Sequence, residues 1–429
     1  MNLPSIETNS PKEIQAFQFE KLMETLTYVS DHSPFYKRLF AGKNIQLATL
    51  KISRDFQRLP FTSKDDLQQY NDDFLCVPKT DIIDYVTTSG TMGSPVTIGL
   101  TDADLDRLAY NEAISLACSG VTKNDTIQLM TTIDRRFMAG LAYFLGARKL
   151  GASIVRVGSG VPELQWDSIL KFQPTYIICV PSFLLKLIAY AKAHNIELSK
   201  TSVTAAICIG EPIRDNGFLL NSLGQKIKES WDIELYSTYA ATEMQTAFNE
   251  CYMQQGGHAH PELIYTEILD EANQPVKEGA VGELVITTLD VKAMPLVRFK
   301  TGDMVQAYTQ PCECGRNSLR LGPVVGRKQL MIKYKGTTLY PPAMYNIMEG
   351  FKGVEGFVIE ISQNELGTDE IVLKVATNKP SESYEEALKN HFRAKLRVSP
   401  SIQFVDEATI HELRFPKMSR KPVLLIDKR

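Results

Sequence analysis

The residues best equipped for chemistry are concentrated in Tyr85–Thr101, YVTTSGTMGSPVTIGLT. Thr88, Ser89, Gly90, Thr91 and Gly93 crowd hydroxyls and glycines into one turn. Hydroxyls donate O–H bonds and glycines let backbone N–H groups close on an anion, which suits a polyphosphate. A plain surface turn has the same composition. The segment is neither a Walker A loop nor a dinucleotide fingerprint, because GxxxxGKS/T and GxGxxG are both absent. A second group is built from sulfur and imidazole: Cys251 stands seven residues before His258, and Cys312 and Cys314 form a CEC pair. Three thiolates and one imidazole are a tetrahedral zinc set, with His260 as a substitute ligand. The competing reading is three free thiols and a surface histidine. A closed four-ligand site would cross-link the chain and supply no catalytic water.

Such groups need rigid elements to hold them, and the chain has the length to build these. It has 429 residues, 44% hydrophobic and 23% charged, which excludes disorder and fibrous architectures. From Asp125 onward short apolar runs alternate with helical ones. Strands are predicted over Thr126–Thr131, Ser153–Val157, Tyr176–Val180, Ala205–Ile209 and Ile233–Tyr236. Helices are predicted over Ala139–Leu150, from Pro181 toward His194, and over Asp215–Ile227. This alternation implies an α/β fold with a parallel sheet covered on both faces. After Glu262 the stretches LIYTEILD and GELVITTL predict antiparallel pairing in a strand-rich subdomain of about 250–325. Beyond Arg327, two strand-like runs, Phe357–Ile361 and Ile371–Ala376, precede a helix over Ser383–Lys395. The expected division is a large domain over 1–327 and a small α+β lid over 328–429.

Partners and compartment are bounded by composition. With 47 Lys+Arg against 50 Asp+Glu the net charge is −3, so nothing invites nucleic acid or an anionic membrane surface. The longest apolar stretches fall short of the ~20 residues a membrane span needs. The first residues, MNLPSIETNSPKEIQ, carry Glu7 and lack the basic-then-apolar order of a secretory signal. Seven cysteines, an odd number over a long chain, argue for a reducing, cytoplasmic setting. Cys76, Cys118, Cys179 and Cys208 sit in apolar company and are expected to be buried.

Thr88–Pro95 resembles the (S/T)SGTTGxP phosphate loop of the adenylate-forming superfamily, which includes acyl-CoA synthetases, luciferases and peptide-synthetase adenylation domains. HSPFYKRLF followed by LPFTSKDDL resembles the lead-in of the phenylacetate-CoA ligases, and matches continue to the last residues. The resemblance therefore spans nearly the whole chain. It implies that Thr88, Ser89, Gly90, Thr91 and Gly93 bind phosphate, with Met92 replacing a common Thr. Gly210, Glu211 and Pro212 match the turn that borders adenine. Glu211 is equally an acid in the first turn of a helix. Tyr239, Ala240, Ala241, Thr242 and Glu243 match YGxTE, which implies Tyr239 stacked on adenine, Thr242 on phosphate and Glu243 on Mg²⁺. A lone carboxylate beside bound phosphates is the usual way Mg²⁺ is held. Asp303 in FKTGD matches the acid that accepts both ribose hydroxyls, and Arg327 matches a residue near ribose and phosphate.

Two departures affect the lid. Lys328, Gln329 and Leu330 replace the acid pair at the interdomain hinge. In the terminal FPKMSRKPVLLIDKR, Lys421 falls on the catalytic lysine with Arg420 where Gly is usual. An ammonium aimed at a pentavalent α-phosphorus stabilises the transition state more than the ground state. The resemblance implies an ATP-dependent acyl-CoA ligase that adenylates a small carboxylic acid, releases pyrophosphate and transfers the acyl group to CoA. Mg²⁺ and a structural Zn²⁺ are the expected ions, and a homodimer the expected assembly. The acid is left open: the relatives' YGLFTGG segment corresponds to IDRRFMAGLAYF, which keeps Phe137 and Gly140 but adds Asp134, Arg135 and Arg136. Transfer to a carrier-protein phosphopantetheine and a catalytically weakened nucleotide-binding protein are the alternatives. No Ser-His-Asp constellation is expected.

Overall fold

The computed structural model describes residues 4–88, 95–334, 337–364, 369–416 and 422–429. It forms two compact units, Met1–Val324 and Val325–Arg429. The first opens with helices α1 (Ser5–Thr8), α2 (Pro11–His32), α3 (Pro34–Gly42) and α4 (Lys64–Gln69). The start of α2 is fixed by a reciprocal Ser10–Glu13 capping box with Pro11 at the first position. Its buried residues Leu22, Leu26 and Val29 recur at helical spacing and face the core.

The hairpin β1 (Asp84–Thr87) and β2 (Thr97–Leu100) follows, paired antiparallel with Thr87 opposite Thr97. Helix α5 (Asp102–Cys118) then leads into the alternating body. In order, this is β3 (Thr126–Leu129), α6 (Met138–Leu150), β4 (Ser153–Arg156), α7 (Pro162–Phe172), β5 (Tyr176–Cys179), α8 (Pro181–Ala193), β6 (Ala205–Cys208), α9 (Ser222–Ser230) and β7 (Glu234–Ala241). Strands β4-β3-β5-β6-β7 are parallel in that spatial order. All four residues of β6 are buried, as expected where helices cover both faces. At β7 the sheet turns antiparallel and continues through β8 (Thr246–Glu250) and β9 (Gly257–His258).

Beyond β9 come β10 (Ile264–Leu269), β11 (Gly282–Thr288) and β12 (Phe299–Val305), an antiparallel meander whose buried Ile264, Ile268, Leu284, Ile286 and Phe299 join the core beneath α2 and α3. The pairs β13 (Ala307–Tyr308) and β14 (Arg320–Leu321) extend the large sheet past β9. The expected α/β body and antiparallel subdomain are both present.

Two local expectations fail. The predicted Asp215–Ile227 helix begins only at Ser222, because Asp215 Oδ1 accepts from Gly217 N at 2.9 Å and Leu219 N at 3.1 Å. This local side-chain turn competes with the helix and wins. Strand β7 runs five residues past the predicted Tyr236, so the Tyr239 motif lies on a strand.

Helices α5 and α6 cross so closely that a Cβ on Gly146 would collide with the Glu112 side chain. Glu112 is thereby sealed, and burial pushes its carboxyl up to about 8, with one opposing bond from Asn111. A folded-state value above the unfolded one means that this group's contribution is intact below about 4.3 and lost as pH rises through 8. Glu112→Gln should therefore raise the melting temperature at pH 8.5 by roughly 5 °C and at pH 5 by only about 1 °C. Equal shifts at the two pH values would refute a neutral Glu112.

The second unit contains β15 (Gly326–Arg327), β16 (Ile332–Tyr334), β17 (Thr337–Leu339), α10 (Pro341–Gly350), β18 (Gly356–Gln363), β19 (Asp369–Ala376), α11 (Glu382–Leu396), β20 (Ser401–Phe404), α12 (Glu407–Arg414) and β21 (Leu425–Asp427). Its main sheet has the order β20-β19-β18-β21, packed through Ile359, Ile361, Leu373 and Val375 on Leu388 and Phe392 of α11. Lys328–Leu330 form a short 3₁₀ turn. Among the described residues, no helix is long and apolar enough to cross a membrane.

Candidate functional site

In a parallel sheet, binding groups collect in the loops beyond the carboxyl ends of the strands. Here the Gly210–Pro212 motif lies in such a loop, and the Tyr239–Glu243 motif on the end of β7 and the turn after it. Beyond β6 lies Gly210–Glu211–Pro212, and beyond the last β6/β7 pair, Cys208 opposite Ser237, Gly210 and Tyr239 stand two residues further along adjacent strands. Thr242 and Glu243 occupy the tight turn joining β7 to β8, closed by Met244 N to Ala241 O at 3.1 Å. Thr88 and Val96, on either side of the hydroxyl-rich segment, are joined by Thr88 N to Val96 O at 2.9 Å and Val96 N to Thr88 Oγ1 at 3.0 Å. Ser89, Gly90, Thr91 and Gly93, together with Lys421, lie outside the described residues.

One hydrogen bond joins two motifs far apart in sequence. The Tyr239 hydroxyl donates to Asp303 Oδ2 at 2.7 Å, and the ring of Tyr239 is backed by Phe248 at 5.9 Å between centroids. Asp303 is 7% exposed on β12, where its own N–H donates to Thr301 Oγ1 at 3.1 Å. The β7–β8 turn is held from beneath by Arg107 of α5. This buried guanidinium donates to Gln245 O (2.7 Å), Thr246 Oγ1 (3.2 Å), Leu263 O (2.6 Å) and Leu289 O (2.7 Å), and burial lowers its pKa to about 10. Sequence reasoning missed Arg107, since its four acceptors are backbone or hydroxyl groups with no signature.

Glu211 caps a neighbouring helix rather than its own: its carboxylate accepts Ser182 N and Ser182 Oγ, both at 2.9 Å, at the start of α8. Arg327 belongs to the second unit, where it is exposed. Beyond β3, Phe137 is 37% exposed and Arg135 and Arg136 are also exposed, while Arg136 O accepts from Thr87 N at 3.0 Å beside the hydroxyl-rich turn. Gly140 is required by packing, because a Cβ there would collide with the Thr132 carbonyl.

Cys251, His258, Cys312 and Cys314 place their ligand atoms within 4.8 Å of one another. Cys251 and Cys312 Sγ atoms are 3.8 Å apart, and Cys314 Sγ lies 3.5 Å from His258 Nε2. A tetrahedron with Zn–S near 2.3 Å and Zn–N near 2.05 Å has edges of about 3.8 and 3.6 Å, so the donor set fits zinc. Cys251 and then His258 hold the Cys314 thiol far below its usual range, and burial keeps the His258 imidazole below its own. His258 Nδ1 meets Ser318 Oγ at 3.3 Å, the kind of outer partner that orients a ligating imidazole. His260 is not a substitute ligand. Its Nδ1 lies 2.5 Å from Glu7 Oε1 and its Nε2 2.9 Å from Ser115 Oγ, so both nitrogens are engaged.

A family model described as "AMP-binding enzyme" matches residues 21–291. The phenylacetate-coenzyme A ligase of Thermus thermophilus is 30% identical over 385 residues, covering 89% of this chain and 85% of that protein. The chain belongs to the phenylacetate-CoA ligase family of AMP-binding enzymes. The Aromatoleum evansii phenylacetate-coenzyme A ligase is 26% identical over 443 residues, covering 100% of this chain and 97% of that protein. Among solved structures, a 2-hydroxyisobutyryl-CoA ligase in the postadenylation state with 2-HIB-AMP has a TM-score of 0.84 at 23% identity, covering 99% of this chain and 92% of that one. The likeness places this phenylacetate-CoA ligase family member in the adenylate-forming fold.

Against that background one cluster is unexpected. Ser115, His260 and Glu7 form a continuous Ser-His-carboxylate chain, with Glu where a Ser-His-Asp constellation has Asp. All three are at most 2% exposed, and Ser115 sits inside α5. The far carboxylate oxygen of Glu7 accepts Arg316 Nε at 2.7 Å, and Arg316 Nη1 donates to Cys314 Sγ at 3.5 Å. Burial alone would raise the Glu7 carboxyl, but His260 and Arg316 outweigh it and hold the value below the ordinary range. In this ligase-family member the chain is a buried clasp that ties the first helix to the Cys/His cluster.

Proposed function

We propose that the residues gathered beyond β6 and β7 carry the two half-reactions of an ATP-dependent acyl-CoA ligase. The family fixes the reaction class as AMP-forming ligation of a carboxylate to CoA. A carboxylate oxygen attacks the α-phosphorus of ATP and pyrophosphate departs, leaving an acyl-AMP. The CoA sulfur then attacks the acyl carbon, its proton goes to solvent, and AMP leaves. No protein nucleophile takes part, so the work is positioning and charge stabilisation.

In this reading Thr88, Ser89, Gly90, Thr91, Gly93 and Thr242 hold phosphate, and Gly210, Glu211, Pro212, Tyr239 and Ala240 border adenine. Asp303 and Arg327 bind ribose, and Lys421 faces the α-phosphate. Glu243 would hold Mg²⁺, which when bound neutralises phosphate charge. Cys251, His258, Cys312 and Cys314 would hold a structural zinc. The small second unit would act as a lid that rotates between half-reactions about Lys328–Leu330. Cytoplasmic residence and a homodimer complete the proposal; light scattering tests the latter.

The observation that carries this reading is the Tyr239–Asp303 bond, which aligns an aromatic ring and a carboxylate from different sheets. Losing a bond to a charged group costs about 1.5–3 kcal/mol, so Tyr239→Phe should raise KM for ATP roughly tenfold with kcat little changed. An unaltered KM would remove the coupling. Pyrophosphate exchange over aromatic, hydroxy and short aliphatic acids identifies the substrate, with a phenylacetate-like acid expected. ATP binding without exchange on any acid would overturn the catalytic reading, and CoA against a carrier protein then settles the acceptor.

A further inference from the structure

We propose that Arg214 and Glu250 are positioning residues for the nucleotide site, a buried ion pair that sets the spacing between the Gly210–Pro212 turn and the Tyr239–Glu243 segment. The inference rests on the nucleotide-site reading above. The two side chains are 5% and 3% exposed, and Arg214 Nε reaches Glu250 Oε1 at 3.0 Å and Oε2 at 3.2 Å. Both terminal nitrogens also make bonds. Nη2 bonds Leu235 O at 2.8 Å and Gln254 Oε1 at 2.7 Å, and Nη1 bonds Phe218 O at 3.3 Å. Glu250 Oε2 accepts in addition the backbone N–H of Ser237 at 2.7 Å.

The connectivity gives these contacts their meaning. Arg214 lies two residues past Pro212, and Ser237 lies two residues before Tyr239. One carboxylate therefore holds the loop after β6, through Arg214, and strand β7, through Ser237 N, each two residues from a residue assigned to adenine. The turn is also tied locally: Glu211, half-buried, accepts Ser182 N and Oγ, both at 2.9 Å, and Pro212 O accepts Asn221 Nδ2 at 2.8 Å. Glu250 also ends β8 and directly precedes Cys251, so the Cys/His cluster adjoins the acid on its other side.

A buried ion pair is a weak source of stability, because two apolar residues of the same volume pack about as well without the desolvation cost. What the pair adds is direction. Charge-assisted bonds from a rigid guanidinium fix distances and angles that apolar contacts leave loose. An apolar swap thus separates positioning from folding.

The test is Arg214→Met/Glu250→Leu, which removes both charges and leaves neither unpaired. Melting temperature and metal content should stay near wild type. The calorimetric Kd for ATP without acid should rise roughly tenfold or more, and KM for ATP in pyrophosphate exchange should rise with it, while KM for the acid stays unchanged. Arg214→Lys, which keeps the charge but not the fork, should fall between the two, and it carries the test if the double variant does not fold. Wild-type ATP affinity in the folded double variant, or failing that in Arg214→Lys, overturns the proposal. Failure of the wild-type protein to bind ATP would instead sink the nucleotide-site reading, and this inference with it.

Discussion

Cys312→Ala is expected to leave the protein without zinc and to lower its melting temperature by ~10 °C. The geometry explains why one thiolate matters so much. Cys312 is the partner of Cys251 at 3.8 Å, and the four donors come from the end of β8, from β9 and from the loop before β14. With one ligand gone, three segments lose their common anchor. The protonation states add a pH dependence. The bond with Cys314 and then burial raise the Cys251 thiol, and burial raises that of Cys312, so binding must expel protons from both. Zinc should therefore be lost progressively on acidification. Elemental analysis of protein purified without chelator checks all of this, and a wild-type preparation with no zinc would end the claim.

Lys421→Ala should slow pyrophosphate exchange by roughly 10²–10³-fold, with little effect on conversion of preformed acyl-AMP and CoA to thioester. The asymmetry follows from charge. Negative charge grows on the α-phosphate oxygens only while the carboxylate attacks, and an ammonium at that point favours the transition state over bound ATP. Thioester formation attacks an acyl carbon and needs no such cation. Assaying the half-reactions separately distinguishes a catalytic lysine from a structural one. Equal losses in both, or unimpaired exchange, would remove Lys421 from its assigned role.

Legibility in the sequence follows the physics of each element. Strands β5 and β6 are buried on both faces and read as unbroken apolar runs, so YIICV and the Ala205–Ile209 run announce themselves. The far half of β7 does not, because Thr238–Ala241 has no run of large aliphatic residues, and its partner there is β8, antiparallel, rather than another buried parallel strand. Helix α9 was misplaced at its start because Asp215 found a local turn that periodicity does not register. The grouping of Cys251, His258, Cys312 and Cys314 was legible as a candidate ligand set from a CEC pair and a CxxxxxxH. Their support was invisible: Glu7 meets His260 across 253 positions of chain, and nothing in its neighbourhood marks it as other than a surface acid. Arg214 and Glu250 were likewise ordinary charges until the strands brought them together.

The buried Ser115–His260–Glu7 chain has a consequence beyond this protein. A three-point geometric template for serine hydrolases would return these residues as a hit, with distances of 2.9 and 2.5 Å that many working enzymes would match. What such a template lacks is an accessibility criterion and a place for the oxyanion. Triads detected by distance alone in large structure collections should include a fraction of this kind, in which the hydroxyl is a strut and the imidazole a spacer between a helix and a cysteine-rich loop.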